Sequence, residues 1–198
     1  MPAPGWCRRD YGEAMPTELH YTADSDANRL LADDPLALLI GLVLYQQVPI
    51  EKAFSGPLVL RTRLGGSLDA AAIAAMAPEA LDEAFRERPA LHRFPGNMAK
   101  RTHAVCTHLV DEYGGDVAAL WRDVADADEL MGRFEALPGF GEYKARVYFG
   151  VLAERFGIRP EGWERYLPDW PSIVDITRPG ELDEVKERKK AWKGASGG

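Results

Sequence analysis

The chain has 198 residues, of which 46% are hydrophobic and 28% charged, and its formal net charge is −7. These values are typical of a globular protein, and the acidic balance disfavours a protein that coats nucleic acid with its whole surface. The two cysteines, Cys7 and Cys106, exclude four-cysteine zinc and iron–sulfur sites and favour a reduced, cytoplasmic setting. The longest apolar run, Leu36–Leu44, is shorter than the roughly 20 residues that cross a bilayer, so we expect neither a secretory leader nor a membrane span.

Helical signals follow one another along the chain. Asp34-Pro35 predicts the start of a buried helix that runs through the apolar stretch to the glutamines behind it. Pro49 predicts the start of the next helix, which stops at Gly65-Gly66 and kinks at Gly56-Pro57. Further helices are predicted within residues 68–77, 78–87, 96–115, 116–124, 126–137 and 142–157. We therefore predict a compact all-α bundle of about eight to ten helices.

Two stretches depart from this pattern. Residues 19–23, LHYTA, are the only weak candidate for a strand. Residues 159–174 contain three prolines and three aromatic residues, and we expect them to be irregular. Their aromatic side chains, Trp163, Tyr166 and Trp170, are of a kind that more often pins a loop to the core than binds a ligand.

The turn at residues 137–141, LPGFG, joins two predicted helices. Gly139 and Gly141 permit left-handed backbone and leave no side chain between the backbone and a ligand. The free amides that begin the second helix, together with its dipole, favour an anion such as phosphate, and Lys144 adds a positive charge in the first turn. The alternative is a plain connection between two helices, in which the glycines serve only the turn geometry.

Four ordered segments resemble one protein family. The stretch ALPGFGEYKARVY, residues 136–148, is similar to the helix-hairpin-helix of the HhH-GPD base-excision DNA glycosylases, whose pattern is leucine-proline-glycine-apolar-glycine with an alanine four residues further on. Residues 34–54 resemble the family's early helix with its glutamine-bearing turn, and residues 94–117 its lysine-bearing helix. Residues 171–178, PSIVDITR, resemble the stretch that carries the catalytic aspartate. The double glutamine is closest to the alkylpurine glycosylase branch.

The resemblance implies a domain at residues 30–178 with its hairpin at 129–156, an N-terminal segment at 1–29 and a basic tail at 179–198, which we expect to be solvated. It implies a monomeric, nucleoid-associated enzyme that acts on a damaged base in double-stranded DNA. No cofactor is required, although a monovalent cation at the hairpin backbone is compatible with the family. The residues implied in DNA binding are Gly139, Phe140, Gly141, Lys144, Gln46 and Gln47.

Gln46 and Gln47 are implied as the wedge or base-pair probe that enters the duplex when a base is flipped out. On the sequence alone, capping of the preceding helix is an equal alternative. For the aromatic residues of 159–174, the alternative to pinning a loop to the core is stacking on a flipped base.

A carboxylate is implied at the reaction centre. Cleavage of an N-glycosidic bond builds positive charge on the deoxyribose, and a fixed carboxylate stabilises that charge. The resemblance points to Asp175, although it lies farther beyond Gly141 than the family's aspartate usually does. Asp169, in the sequence YLPDW, is the rival because the alkylpurine branch has leucine-proline-aspartate near its acid. Each residue also suits a helix cap or an exposed carboxylate.

The resemblance also separates two reaction types. Family members that nick the DNA strand carry a lysine two residues after the second hairpin glycine, where this chain has Tyr143. Lys144 is one residue later, about 100° around the helix, so a monofunctional glycosylase is implied.

Tyr45 and Tyr143 are candidates for the base pocket. Alkylated purine is the implied substrate, with uracil, hypoxanthine and oxidised bases open, and an inactive DNA-binding module is the alternative function.

Metal chemistry has no support in the sequence. The four histidines show no metal-ligand spacing such as HExxH, and the cysteines do not supply the family's iron–sulfur loop. We therefore read the histidines as structural or surface residues: His20, His92, His103 and His108.

Overall fold

The computed structural model describes residues 15–196, and within that range the protein is all-α, with no strand. Nine α-helices pack into one bundle. They are α1 (Ser25–Asp33), α2 (Pro35–Leu44), α3 (Ile50–Arg63), α4 (Ala70–Ala75), α5 (Pro78–Arg86), α6 (Pro95–Tyr113), α7 (Ala127–Glu135), α8 (Glu142–Phe156) and α9 (Glu181–Ser196). Three 3-10 helices lie at Val117–Leu120, Trp163–Tyr166 and Ile173–Asp175. Residues 1–14 of the N-terminal segment, Cys7 among them, lie outside the described residues.

Local signals explain where the central helices begin and end. The Asp34 carboxylate accepts hydrogen bonds from the amides of Leu36 and Ala37, and Pro35 fills the first position of α2. α6 ends at Gly114 and α8 at Gly157, each in the left-handed region, with φ of 60° and 67°. The predicted start of α2 and the predicted ends of α6 and α8 are confirmed.

The buried core is built around α2. Every residue of α2 is buried, as the apolar run predicts, and α3 packs closely against it. Gly41 makes this approach possible, because a Cβ there would lie 2.6 Å from the Phe54 ring. α8 supplies the other large part of the core, with Tyr148 and Phe149 fully buried. Each such side chain contributes about 1.5–3 kcal/mol to folding, so α2 and α8 form a rigid base for what lies at their ends.

A second glycine positions the segment that follows α8. A Cβ at Gly150 would lie 2.8 Å from a methyl of Val174 and 3.0 Å from Pro168. The Arg155 guanidinium donates to the carbonyl oxygen of Val174 at 2.8 Å. The 3-10 helix that carries Asp175 is therefore held directly against α8.

Several local predictions differ from the structure. Residues 19–23 form no strand but a buried coil, in which the Leu19 amide donates to Asn28 of α1. α3 runs through Pro57 without interruption, and the predicted helix at 116–124 is only a 3-10 helix. The basic tail is largely the helix α9, whose side chains contact α3 and Tyr45. No helix in residues 15–196 is long and apolar enough to span a bilayer.

Candidate nucleic-acid interface

The α7–α8 turn, residues 136–141, presents the start of α8 to solvent. Gly139 has φ of 78°, a left-handed conformation that favours glycine. Gly141 caps α8 without any side-chain hydrogen bond, and it is exposed. The amides of Glu142 and Tyr143 have no carbonyl within the helix to donate to, so they remain available to an anion.

Phe140 has a different role from its neighbours in the turn. Its side chain is only 7% exposed, and its ring lies 6.4 Å from that of Tyr148 in the core. Its amide donates to the carbonyl oxygen of Leu137 at 2.9 Å. Of the residues predicted to contact DNA in this turn, Phe140 therefore anchors the turn, and its amide is already used within the protein.

Arg101 joins three elements at this turn, although no sequence motif singles it out. Its guanidinium donates to the side-chain oxygen of Gln46, at the end of α2. Its side chain also passes the turn, since a Cβ at Gly139 would lie 3.7 Å from the Arg101 Cδ. Arg101 is exposed on the second turn of α6. A cation thus lies beside the free amides of α8 although it comes from a distant part of the chain.

Lys144 supplies a second cation next to Arg101. Its Nζ lies 3.5 Å from the carbonyl oxygen of Val43 and 5.0 Å from the centre of the Phe140 ring. Burial, followed by repulsion from Arg101, lowers the pKa of Lys144 to about 7. A phosphate at this place would restore the charge and relieve the repulsion between the two cations.

The glutamine turn divides the roles of its two glutamines. The Gln46 side chain donates to the Val43 carbonyl at 3.3 Å, which is the capping alternative, and it accepts from Arg101. Gln47 is exposed, with φ of 53°. Of the pair, Gln47 is therefore the one whose side chain is free to enter a duplex.

His92 fixes the glutamine turn from below. It is buried, its Nδ1 accepts from the Phe94 amide at 3.0 Å, and its Nε2 lies 2.8 Å from the Gln46 carbonyl oxygen. Since a carbonyl oxygen only accepts, the hydrogen is on Nε2 and the ring is neutral. Burial lowers the pKa of His92, in agreement with that form. The prediction that His92 is structural agrees with this placement.

Phe94 is an exposed aromatic residue beside the glutamine turn that sequence reasoning missed. Its side chain is 43% exposed, with the Arg93 guanidinium 4.7 Å from its ring centre. A cavity of about 760 Å³ opens next to it between α5 and α6. The charged residues that line this cavity are Asp82, Arg86, Arg93 and Lys100. Cations therefore continue from the turn along the first part of α6.

The two proposed pocket tyrosines converge on one atom. The Nζ of Lys189, on α9, donates to the Tyr45 hydroxyl at 2.6 Å and lies 4.7 Å from the centre of that ring. The same Nζ lies 6.0 Å from the centre of the Tyr143 ring. Tyr143 is 46% exposed, and its ring is stacked on Trp170 at 4.8 Å and 15°. The Lys189 ammonium group is thus close to both tyrosine rings.

The other aromatic residues of 159–174 pack on the protein. Tyr166 lies 5.6 Å from Phe149, and Trp163 lies under the Arg159 guanidinium at 4.9 Å. All three aromatic residues of this segment are partly buried against the core. This arrangement agrees with the prediction that they pin an irregular segment in place.

The two candidate acids lie in different surroundings. The Asp175 side chain is 33% exposed, accepts from the Ser172 amide at 3.0 Å and lies 3.7 Å from Arg188. The contact with Ser172 is a capping box, which uses Oδ2 and leaves Oδ1 without a hydrogen bond within the described range. Asp169 is 82% exposed and lies 3.8 Å from Arg146. Only Asp175 is both held in place and partly withdrawn from water.

No protein-family model matches the chain, and no curated protein matches it. Among residues 15–196, no three histidine, cysteine, aspartate or glutamate side chains are grouped so that they could hold a metal ion. The groups available for chemistry in this region are therefore a carboxylate, two cations beside free amides, and an ammonium group beside two tyrosines.

Proposed function

We propose that the protein is a DNA N-glycosylase that hydrolyses the bond between a damaged base and its deoxyribose in duplex DNA. One observation carries the proposal: Arg101 links the glutamine turn to the α7–α8 turn, beside Lys144 and the free amides of α8. An enzyme that flips a base needs a grip on the backbone, a group that fills the gap and a nearby acid. All three have candidates among the residues around α8.

The protein would hold the DNA backbone by one phosphate, bound at the start of α8. Backbone amides, a helix dipole and two cations favour an anion at that place, such as a phosphodiester of the DNA backbone. Charge-assisted hydrogen bonds of this kind contribute about 1.5–3 kcal/mol each. The net charge of −7 limits binding elsewhere on the surface, so contact with DNA would be confined to this cationic region.

The gap in the duplex would be filled from the surface next to the grip. Gln47 and Phe94 are both exposed, one polar and one aromatic. A flat ring replaces the lost stacking of a flipped base, which is worth about 1–3 kcal/mol per base. We assign this role to Phe94, with Gln47 as the group that meets the opposite base.

Asp175 would stabilise the positive charge that develops on the sugar as the base leaves. Its free Oδ1 would also accept the proton of the attacking water. Hydrolysis without strand cleavage is favoured, because no amine occupies position 143 and the Lys144 ammonium is turned towards Val43. Lys144 is thereby committed to the grip.

Base release from a panel of duplexes, each with one damaged base, tests the proposal. We expect release from at least one lesion, and an Asp175→Asn rate at least a hundredfold lower, with Asp169→Asn close to wild type. Absence of release from every lesion would rule the glycosylase out.

A second function is favoured by a specific observation. Asp175 Oδ2 is used in the capping box with Ser172, and the Lys189 ammonium is already hydrogen-bonded to the Tyr45 hydroxyl. A DNA-binding module that has lost catalysis would keep the grip and tolerate both features. It would bind duplexes in a salt-dependent way and release no base.

A further inference from the structure

Lys189 is held firmly at the place where Tyr45 and Tyr143 converge. Two residues just before Lys189 hold α9 in place, since Lys186 donates to the Glu51 carboxylate and Arg188 lies 3.7 Å from Asp175. The hydrogen bond to the Tyr45 hydroxyl, at 2.6 Å, orients the ammonium group itself. The Lys189 ammonium group therefore has a fixed position beside Tyr45 and Tyr143.

The charge of Lys189 is not cancelled by a neighbour. No carboxylate pairs with Lys189 within residues 15–196, and its neighbours are the Tyr45 hydroxyl and the two tyrosine rings. Because Nζ lies 2.6 Å from the Tyr45 hydroxyl and 4.7 Å from the centre of that ring, the ammonium group sits at the hydroxyl end of Tyr45 and not over its face. Burial and the neighbouring Lys193 lower the pKa of Lys189, which makes it a better proton donor.

We propose that Lys189 makes this site selective for neutral damaged bases, such as hypoxanthine or uracil, and against cationic alkylated purines. The inference rests on the proposed glycosylase function and names the substrate class of that same site. A cationic base beside Tyr45 and Tyr143 would be repelled by the ammonium group, which lies 4.7 Å and 6.0 Å from the centres of the two rings. A neutral base with a carbonyl oxygen or ring nitrogen would accept a hydrogen bond from it.

The chemistry of the leaving base points the same way. When the bond from C1′ to the base nitrogen breaks, the electron pair stays on the base. A cationic alkylated base then leaves as a neutral molecule and needs no proton, whereas a neutral base leaves as an anion unless a donor supplies one. Lys189 gives its proton to the base, water forms the new bond to C1′ and passes a proton to Asp175, and solvent later returns each group to its starting form.

Single-turnover release from duplexes with one hypoxanthine, uracil or 7-methylguanine tests this inference. We expect wild type to release a neutral base fastest, and Lys189→Met to slow that release at least tenfold while release of 7-methylguanine is unchanged or faster. Lys189→Arg should keep the discrimination against 7-methylguanine. Lys190→Met, which removes an exposed charge from the next position of α9, is the matched control and should behave as wild type.

Binding gives a readout that does not depend on catalysis. Duplexes with a 2′-fluoro sugar at the lesion resist cleavage, and their affinities are measured by fluorescence anisotropy. Wild type should bind the hypoxanthine duplex at least threefold more tightly than the 7-methylguanine duplex, and Lys189→Met should abolish that preference. Faster release or tighter binding of 7-methylguanine by wild type overturns the inference, as does equal loss on both lesions in Lys189→Met. If no base is released but wild type still prefers the hypoxanthine duplex, the proposed glycosylase activity is wrong and the proposed selectivity of the site is retained.

Discussion

The ammonium nitrogen of Lys144 lies 3.5 Å from the carbonyl oxygen of Val43, so a half-buried charge joins the start of α8 to the end of α2. Burial and Arg101 lower the pKa of this lysine to about 7, well below the ordinary value of 10.5. The group that would meet a phosphate is therefore only partly charged at neutral pH in the free protein. This relationship predicts that binding of a phosphate beside Lys144 is linked to proton uptake.

Duplex affinity should fall as pH rises. A phosphate beside Lys144 raises its pKa above the free value, so binding takes up a proton between the two values, and higher pH opposes it. Between pH 6.5 and pH 8.5 we expect the dissociation constant to increase by about three- to tenfold. Anisotropy titrations at constant ionic strength measure this change. Lys144→Met should bind more weakly with little pH dependence, and an identical pH dependence in both proteins would contradict the role of Lys144.

Arg101 should contribute to affinity through one phosphate contact. Arg101→Ala should weaken duplex binding by about three- to tenfold and reduce the slope of log affinity against log salt by about one. Titrations at several salt concentrations measure both quantities. Arg29→Ala, which removes an exposed arginine paired with Asp26 on α1, is the control and should leave the slope unchanged. An equal effect of both substitutions would place the DNA elsewhere.

Gly139 should be sensitive to substitution because of its backbone. Alanine in its left-handed conformation costs about 1–2 kcal/mol in the free energy of unfolding. Gly132→Ala should have the opposite sign, because Gly132 is exposed in α7 with nothing within 4 Å of an added Cβ, and alanine there stabilises by about 0.5–1 kcal/mol. Urea denaturation measures both. If Gly139→Ala were as stable as wild type, the turn geometry described above would be wrong.

Phe94 should matter for base release more than for binding. Phe94→Ala removes a partly exposed ring, so undamaged duplex should bind within about threefold of wild type, while release slows by about ten- to a hundredfold through lost stacking. Phe94→Leu keeps an apolar side chain of similar reach and should recover part of the rate. Equal losses in binding and release would assign Phe94 to simple DNA contact.

The helical bundle could be predicted from local signals, because caps and breakers act within a few residues. The Asp34 cap, the apolar run of α2 and the glycines after α6 and α8 each predict their part of the structure. α9 could not be predicted in this way. It has little apolar surface, and its anchors to Glu51 and Tyr45 are polar contacts across 135 and 144 residues.

The candidate site was predictable only where a motif lies in one continuous stretch. The glycines of the α7–α8 turn and the glutamine turn each form such a stretch. Arg101 and Lys189 belong to no such stretch, because their contacts with Gln46 and Tyr45 join helices that are distant in the chain. Asp175 and Asp169 were inseparable in the sequence for a related reason, since the exposed fraction of each carboxylate, 33% and 82%, is a property of the folded segment and not of the local sequence.

Base release by wild type, Asp175→Asn and Asp169→Asn from the panel of single-lesion duplexes tests the central claim most directly. The account predicts turnover by wild type, a rate at least a hundredfold lower for Asp175→Asn with duplex binding retained, and near wild-type turnover for Asp169→Asn. Release by Asp175→Asn at the wild-type rate, or no release from any lesion by wild type, would contradict it.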